Sequence, residues 1–141
     1  MPNRQERKTF VDLRILIVDD SPTVGMTTAW ILTHHGYQVE VAKDGLSALS
    51  ALHTFSPDLV LLDIRLPHLD GYRLCEMLRS KTEYKEIPII MVSGISSAES
   101  IQRAVDAGAN LYLPKPVNDE ELLAAIKEQT AKSKLFAGEP Q

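Results

Sequence analysis

The sequence predicts an α/β domain: a doubly wound, five-stranded parallel sheet with five helices over its two faces. Three observations predict it. Short apolar runs recur along the chain and each stops abruptly at polar residues. Longer segments between them carry helix start and stop signals. Strands that alternate with helical segments need crossover connections, and right-handed crossovers produce a parallel sheet covered on both faces.

Residues 1–12 are polar and charged and read as a loose N-terminal extension. Arg14-Ile15-Leu16-Ile17-Val18 is the first strand, apolar throughout, as suits burial on both faces. It ends at Asp19-Asp20-Ser21-Pro22, where Pro22 fits the first turn of a helix. That helix reaches His34-His35 and stops at Gly36, a residue suited to a left-handed helix end. Gln38–Ala42 is a more polar strand and reads as an edge. Asp44-Gly45 opens a helix to about Thr54, broken at Ser56-Pro57-Asp58. Leu59–Leu62 is the most apolar strand and ends at Asp63. Asp70-Gly71 starts a helix to about Lys81, and Ile87–Val92 is the fourth strand, ending at Ser93-Gly94. Ser96 with Glu99 forms a capping-box pattern for a helix closed by Gly108. Leu111–Leu113 is a short fifth strand before Pro114-Lys115-Pro116. Asn118 with Glu121 caps a last helix to about Ser133.

The length of 141 residues fits one domain with its own core. Hydrophobic residues make up 44% and charged residues 24%, as in globular proteins. The net charge of −4 argues against a direct nucleic-acid role, which would leave a basic footprint. Cys75 is the single cysteine, so no internal disulfide forms. No apolar run is long enough for a membrane span, and the N-terminus lacks the apolar stretch of a secretory signal. A cytoplasmic location is the expectation.

In sheets of this class the functional groups sit just past the carboxyl ends of the strands. Those positions hold Asp19 and Asp20 after strand one, Asp63 after strand three, Ser93 after strand four and Lys115 after strand five. Three carboxylates, a hydroxyl and an ammonium thus converge on one rim. Close carboxylates repel one another and call for a cation. An all-oxygen donor set with water suits Mg²⁺, with Mn²⁺ as an alternative, whereas zinc would want His or Cys at matched spacing. A carboxylate beside such a metal can attack phosphorus and become an aspartyl phosphate. Asp63 fits that role. Lys115 would pair with a phosphoryl oxygen as a point charge, and Ser93 would donate to another.

Four pieces of sequence carry a family resemblance: Leu16–Asp20, Leu62–Gly71, Met91–Gly94 and Tyr112–Pro116. In this order and spacing they resemble bacterial two-component response-regulator receiver domains of the single-domain, chemotaxis-regulator kind. The resemblance spans about residues 13–132, leaving 133–141 as a C-terminal tail. It implies a flavodoxin-like sheet of strand order 2-1-3-4-5. It also implies that Asp63 is the phosphoacceptor, and that Asp20, Asp63 and the backbone carbonyl of Arg65 ligate Mg²⁺, with Asp19 acting through a water. Ser93 would be the switch hydroxyl, Tyr112 the aromatic that changes rotamer with it, Lys115 the phosphoryl-binding cation and Lys115-Pro116 a cis peptide. The implied phosphodonor is a histidine kinase or histidine phosphotransfer protein. Such a domain catalyses only its own phosphorylation and dephosphorylation and is otherwise no enzyme.

The chain departs from the family where Leu66 and Leu69 replace frequent methionines, swaps that roughly conserve volume. Arg65, two residues past the phosphoacceptor, borders the path of an attacking water and is expected to tune phosphoryl lifetime. Plainer roles exist for single residues. Asp19-Asp20 could cap a helix, Ser93 and Lys115 could be ordinary loop residues, and Tyr112 could be core. Their joint placement at matching strand ends favours the site. His34-His35 suits a helix C-terminus, Trp30 reads as packing, and Cys75 reads as core filler without a cationic neighbour.

Other functions lack their motifs. A flavin-binding flavodoxin wants a Thr/Ser/Gly phosphate loop where this chain has Asp-Asp-Ser-Pro. A P-loop wants Gly-Lys-Ser/Thr. A haloacid-dehalogenase phosphatase wants Asp-x-Asp, and a phosphorylation-independent pseudo-receiver would lack one of the five residues. Two downstream roles follow. In the first, the chain is a stand-alone regulator, monomeric or dimerising on phosphorylation, that docks a protein target through helix four, strand five and helix five. In the second, it is the receiver part of a larger regulator or hybrid kinase. The Met1 start and short tail favour the first.

Overall fold

The computed structural model describes residues 13–132. The extension read at 1–12 and the tail read at 133–141 lie outside the described residues. In chain order the elements are β1 (Arg14–Val18), α1 (Pro22–His34), β2 (Gln38–Ala42), α2 (Gly45–Phe55), β3 (Leu59–Leu62), α3 (Gly71–Arg79), β4 (Ile89–Ser93), α4 (Ala98–Ala107), β5 (Leu111–Pro114) and α5 (Asp119–Ala131). The strands form one sheet in the order β2-β1-β3-β4-β5, every neighbouring pair parallel.

Side chains alternate across a strand, so a strand buried on both faces must be apolar at every position. Along β1, Ile15 and Ile17 enter the core under α1 and α5, whereas Leu16 and Val18 enter the core under α2, α3 and α4. The same partition sends Leu59 and Leu61 of β3 one way and Val60 and Leu62 the other. Each fully buried Leu or Ile stabilises the fold by roughly 1.5–3 kcal/mol relative to exposure. β2 lies at the edge, where Val41 is 40% exposed.

Every helix start is capped by a side chain. Ser21 accepts from the Val24 N–H, Asp70 from Arg73, and Asn118 from Glu121. Asp44 and Ser47 form a reciprocal capping box. At α4 the cap is Ser97, which accepts from the Ser100 N–H, and not Ser96 as the pattern with Glu99 suggested. Both serines are competent. The register is decided by Ala104 and Ala107, which face the core, and by the Ser97–Ser100 hydroxyl pair at 2.8 Å. Glu99 instead sits exposed in the first turn, where a carboxylate suits the helix dipole.

β4 begins at Ile89, two residues later than the apolar run suggested. Pro88 has no N–H for a ladder, though its carbonyl still accepts from Val60 at 3.0 Å. The Ile87 carbonyl is taken by Arg79, whose guanidinium also bonds the carbonyls of Tyr84 and Gly108 and the Asn110 side chain. One cation thereby ties the end of α3 to the loops before β4 and β5.

Trp30 is not core: it is 67% exposed and stacks on His34. Gly25 and Leu32 point at the sheet, and Trp30 is turned well away from them at 3.6 residues per turn. Cys75 is fully buried as core filler, but Arg79 one turn later is a cationic neighbour. Burial outweighs that cation and pushes the Cys75 thiol from an ordinary 9.0 up to about 11. A raised pKa means the folded state keeps its proton after the unfolded state has lost it. The stabilisation is complete below 9.0 and is lost as pH rises toward 11. The expected loss over that window is about 2 kcal/mol from this group. Urea unfolding across the window should show a steeper decline in the wild type than in Cys75→Ala. Parallel curves would refute the assignment.

Candidate functional site

The upper ends of β1 and β3 carry the acidic residues. The sheet ladder continues one step past each strand: Asp19 N–H donates to the Ala42 carbonyl at 3.0 Å, and Asp63 N–H to the Val18 carbonyl at 2.9 Å. These bonds fix both residues on the rim. Asp19 and Asp63 are buried to 6% and 8% exposure, whereas Asp20 is exposed. Carboxylate oxygens of all three lie within 4.8 Å of one another. The Asp19 carboxylate accepts from the Ser21 N–H at 2.9 Å, and the Asp63 carboxylate from the Arg65 N–H at 3.3 Å.

Lys115 completes the rim from β5. Its Nζ donates to Asp19 Oδ2 at 2.9 Å and Asp63 Oδ2 at 3.1 Å. Burial works against the ammonium, but the bonds to Asp19 and Asp63 outweigh it and hold the amine's pKa above its ordinary value. The Lys115 N–H donates to the Ser93 carbonyl at 2.8 Å, which locks the end of β5 to the end of β4, and the Lys115–Pro116 bond is cis. Ser93 is fully buried and its hydroxyl accepts from the Ile95 N–H at 3.3 Å. A cavity of about 340 Å³ opens here, lined by Asp19, Asp20, Ser21, Asp63, Arg65, Ser93, Gly94 and Lys115.

The rim residues named from sequence thus lie together. Three carboxylates against one ammonium leave an excess of negative charge, and among the described residues Asp20 has no ion-pair partner. Such an oxygen-rich, under-neutralised cluster fits a hard divalent cation. Tyr112 packs against the core with its hydroxyl buried and without a hydrogen-bond partner. Burial pushes the phenol's pKa up, the Ser93 hydroxyl works against that rise, and Tyr72 and Asp63 add to it.

The sequence did not disclose a second, larger cleft of about 550 Å³ between α1 and α5. Val24, Thr27 and Ile31 line one wall, Val117 and Leu122 the other, and it meets the acidic cavity at Asp19, Asp63 and Lys115. The signal was the set of small threonines on α1, which leave the interhelical space unfilled. Also undisclosed was the loop after Asp63. His68 takes a left-handed φ of 68°, and Gly71 donates to the Ile64 carbonyl at 2.8 Å.

The response regulator receiver domain model matches residues 15–127. The chain belongs to the response-regulator receiver family. Among curated proteins it is 38% identical over 125 residues to the response regulator MprA of Mycobacterium ulcerans (strain Agy99), covering 89% of this chain and 53% of that protein. It is 41% identical over 115 residues to the response regulator MprA of Mycobacterium sp. (strain KMS), covering 82% and 49%. The chain therefore spans about half the length of these relatives. Among solved structures, a CheY-like receiver domain protein from Methanospirillum hungatei JF-1 superposes with a TM-score of 0.80 at 36% identity, covering 86% of this chain and 95% of that one. The signal receiver domain of a histidine kinase from Syntrophus aciditrophicus gives 0.80 at 34% identity, covering 86% and 92%. The flavodoxin-like order 2-1-3-4-5 and the two-component receiver class are thereby established, and no helix among the described residues is long and apolar enough to cross a membrane.

Gly71 holds this receiver's acidic loop in place. A Cβ there would meet the Asp63 carbonyl oxygen at 2.3 Å and Ile64 Cα at 2.8 Å, both backbone atoms. Gly71→Ala should destabilise the domain by roughly 2–4 kcal/mol, because the overlap forces main-chain movement. Denaturant unfolding checks it; an unchanged midpoint contradicts the close approach.

Proposed function

We propose that this receiver takes a phosphoryl group onto Asp63 from a phosphohistidine of a sensor kinase or phosphotransfer protein and thereby switches a docking surface. The observation that carries the reading is Lys115 Nζ bridging Asp63 and Asp19 inside a three-carboxylate cluster. Asp20, Asp63 and the Arg65 carbonyl, with Asp19 through a water, would hold Mg²⁺ or Mn²⁺. When bound, that ion supplies neutralisation of the carboxylates and of an incoming phosphoryl group.

The protein's own groups do the rest. An Asp63 carboxylate oxygen forms a bond to phosphorus as the phosphorus–nitrogen bond of the donor breaks, leaving an acyl phosphate and a free imidazole. Lys115, held charged beside Asp63, pairs with one phosphoryl oxygen. The Ser93 hydroxyl, rotated from its bond with Ile95, donates to another. The buried, unbonded Tyr112 hydroxyl supports a switching role. An unpaired buried hydroxyl costs roughly 1–3 kcal/mol, a cost that a rearrangement at Ser93 would alter. Phosphorylation then shifts a balance between pre-existing states.

The docking face proposed is α4, β5 and α5. Ile101 is 38% and Val105 56% exposed on α4, apolar surface available to a protein target or a second copy. The roughly doubled length of the MprA relatives favours a second reading, in which this receiver controls an output domain in a longer regulator.

Wild-type protein incubated with acetyl phosphate should gain one phosphoryl group in Mg²⁺ and none in chelator, read by intact mass. Asp63→Asn should gain none, and labelling equal to wild type would show the site misassigned. Arg65 is exposed beside the cavity mouth. Its replacement by Ala or Asn should change the dephosphorylation rate of the loaded protein severalfold. Identical decay in wild type and both variants would remove Arg65 from the mechanism.

A further inference from the structure

α4 is held to the sheet by little apolar packing of its own. Its buried residues are Ala104 and Ala107, both small, while Ile101 and Val105 are left exposed. Another attachment comes from α3. Tyr72, 6% exposed, puts its ring under the Arg103 guanidinium at 4.1 Å from the ring centroid, and its hydroxyl donates to the Ser100 carbonyl at 3.3 Å. A cation over an aromatic face and a hydrogen bond therefore join α3 to α4 through one side chain.

The backbone of Tyr72 has little freedom. Gly71 is pinned to the Ile64 carbonyl and lies against the Asp63 main chain. A displacement of the segment after Asp63 reaches Tyr72 through one peptide unit. Tyr72 belongs to the core cluster against which Tyr112 also packs, and the Tyr112 hydroxyl lacks a hydrogen-bond partner.

We propose that Tyr72 and Arg103 form a clasp through which the Asp63 loop positions α4, making Tyr72 a positioning residue for the switch. The proposal rests on the phosphoacceptor reading of Asp63. The clasp touches no reacting atom. It sets how firmly the docking helix is seated and transmits changes at the Asp63 loop to it. Because the link is one ring, its two contacts can be removed separately: Phe keeps the ring under Arg103 and drops the bond to Ser100, while Leu drops both.

The test is amide hydrogen exchange of α4 in the whole protein, with and without beryllofluoride and Mg²⁺, with α1 and α5 as internal controls. Without the mimic, Tyr72→Leu should speed exchange in α4 by about tenfold relative to wild type, the scale of losing both contacts, with α1 and α5 little changed. Tyr72→Phe and Arg103→Gln should fall between. With the mimic, wild type should show a change in α4 protection that Tyr72→Leu largely loses, while ¹⁹F resonances of bound beryllofluoride persist in both. Equal α4 exchange in wild type and Tyr72→Leu, or equal acceleration in all helices, would overturn the clasp. Should Tyr72→Leu fail to fold, Arg103→Gln and Tyr72→Phe decide by the same criteria. If wild type binds no beryllofluoride, the phosphoacceptor reading fails, whereas the mimic-free comparison still judges the clasp.

Discussion

The constraint on which the rest depends is the crowding of like charge where β1 and β3 end. Two carboxylates about 5 Å apart repel by on the order of 3 kcal/mol at the effective dielectric near a protein surface. The backbone ladder fixes Asp19 and Asp63 side by side, so the chain cannot relax that repulsion by moving them apart. Lys115 relieves it in part by reaching both oxygens from the end of β5. The remainder is a standing affinity for positive charge. The same feature makes Lys115 usable: an ammonium that already bridges two carboxylates can exchange one partner for an arriving anion without leaving the rim.

Much of this was legible because parallel topology turns sequence positions into spatial ones. An all-apolar strand such as Leu59–Leu62 can only be central, so the residue after it must lie at the rim. That logic places Asp63, Asp19, Ser93 and Lys115 without any long-range information. What failed depends on relations between elements. Two adjacent serines can each cap a helix, and the choice of Ser97 followed from which alanines met the core. Trp30 looked like packing by residue type, yet its angle on α1 carries it outward. Pro88 shortened β4 through a missing donor that an apolar-run count does not see.

The contacts that the sequence concealed are those made by one long side chain across several segments. Arg79 serves carbonyls of Tyr84, Ile87 and Gly108, and nothing in the local pattern of α3 marks it as different from a surface arginine. It is half-buried among these acceptors and, among the described residues, pairs with no carboxylate, so its role is to satisfy loop backbone that could not otherwise be desolvated. Tyr72 is hidden in the same way: its position reads as the core face of α3, and only the arrival of Arg103 and Ser100 from α4 gives the ring polar work.

These contacts make the two faces of the sheet mechanically unequal. Beneath α1 and α5 large side chains such as Leu32, Leu122 and Ile126 fill the core, and a cleft remains between the helices. On the other face α4 adds only alanines to the core and relies on polar and cation–π contacts with α3. Apolar packing is non-directional and tolerates only discrete rearrangement, whereas a hydrogen bond and a ring–cation contact can be re-formed after a small shift. A helix seated mainly by the second kind can be moved by a modest change in free energy at the rim. The Tyr112 hydroxyl, buried without a hydrogen-bond partner in the same core face, carries a cost of roughly 1–3 kcal/mol, within the range of the polar contacts that seat α4.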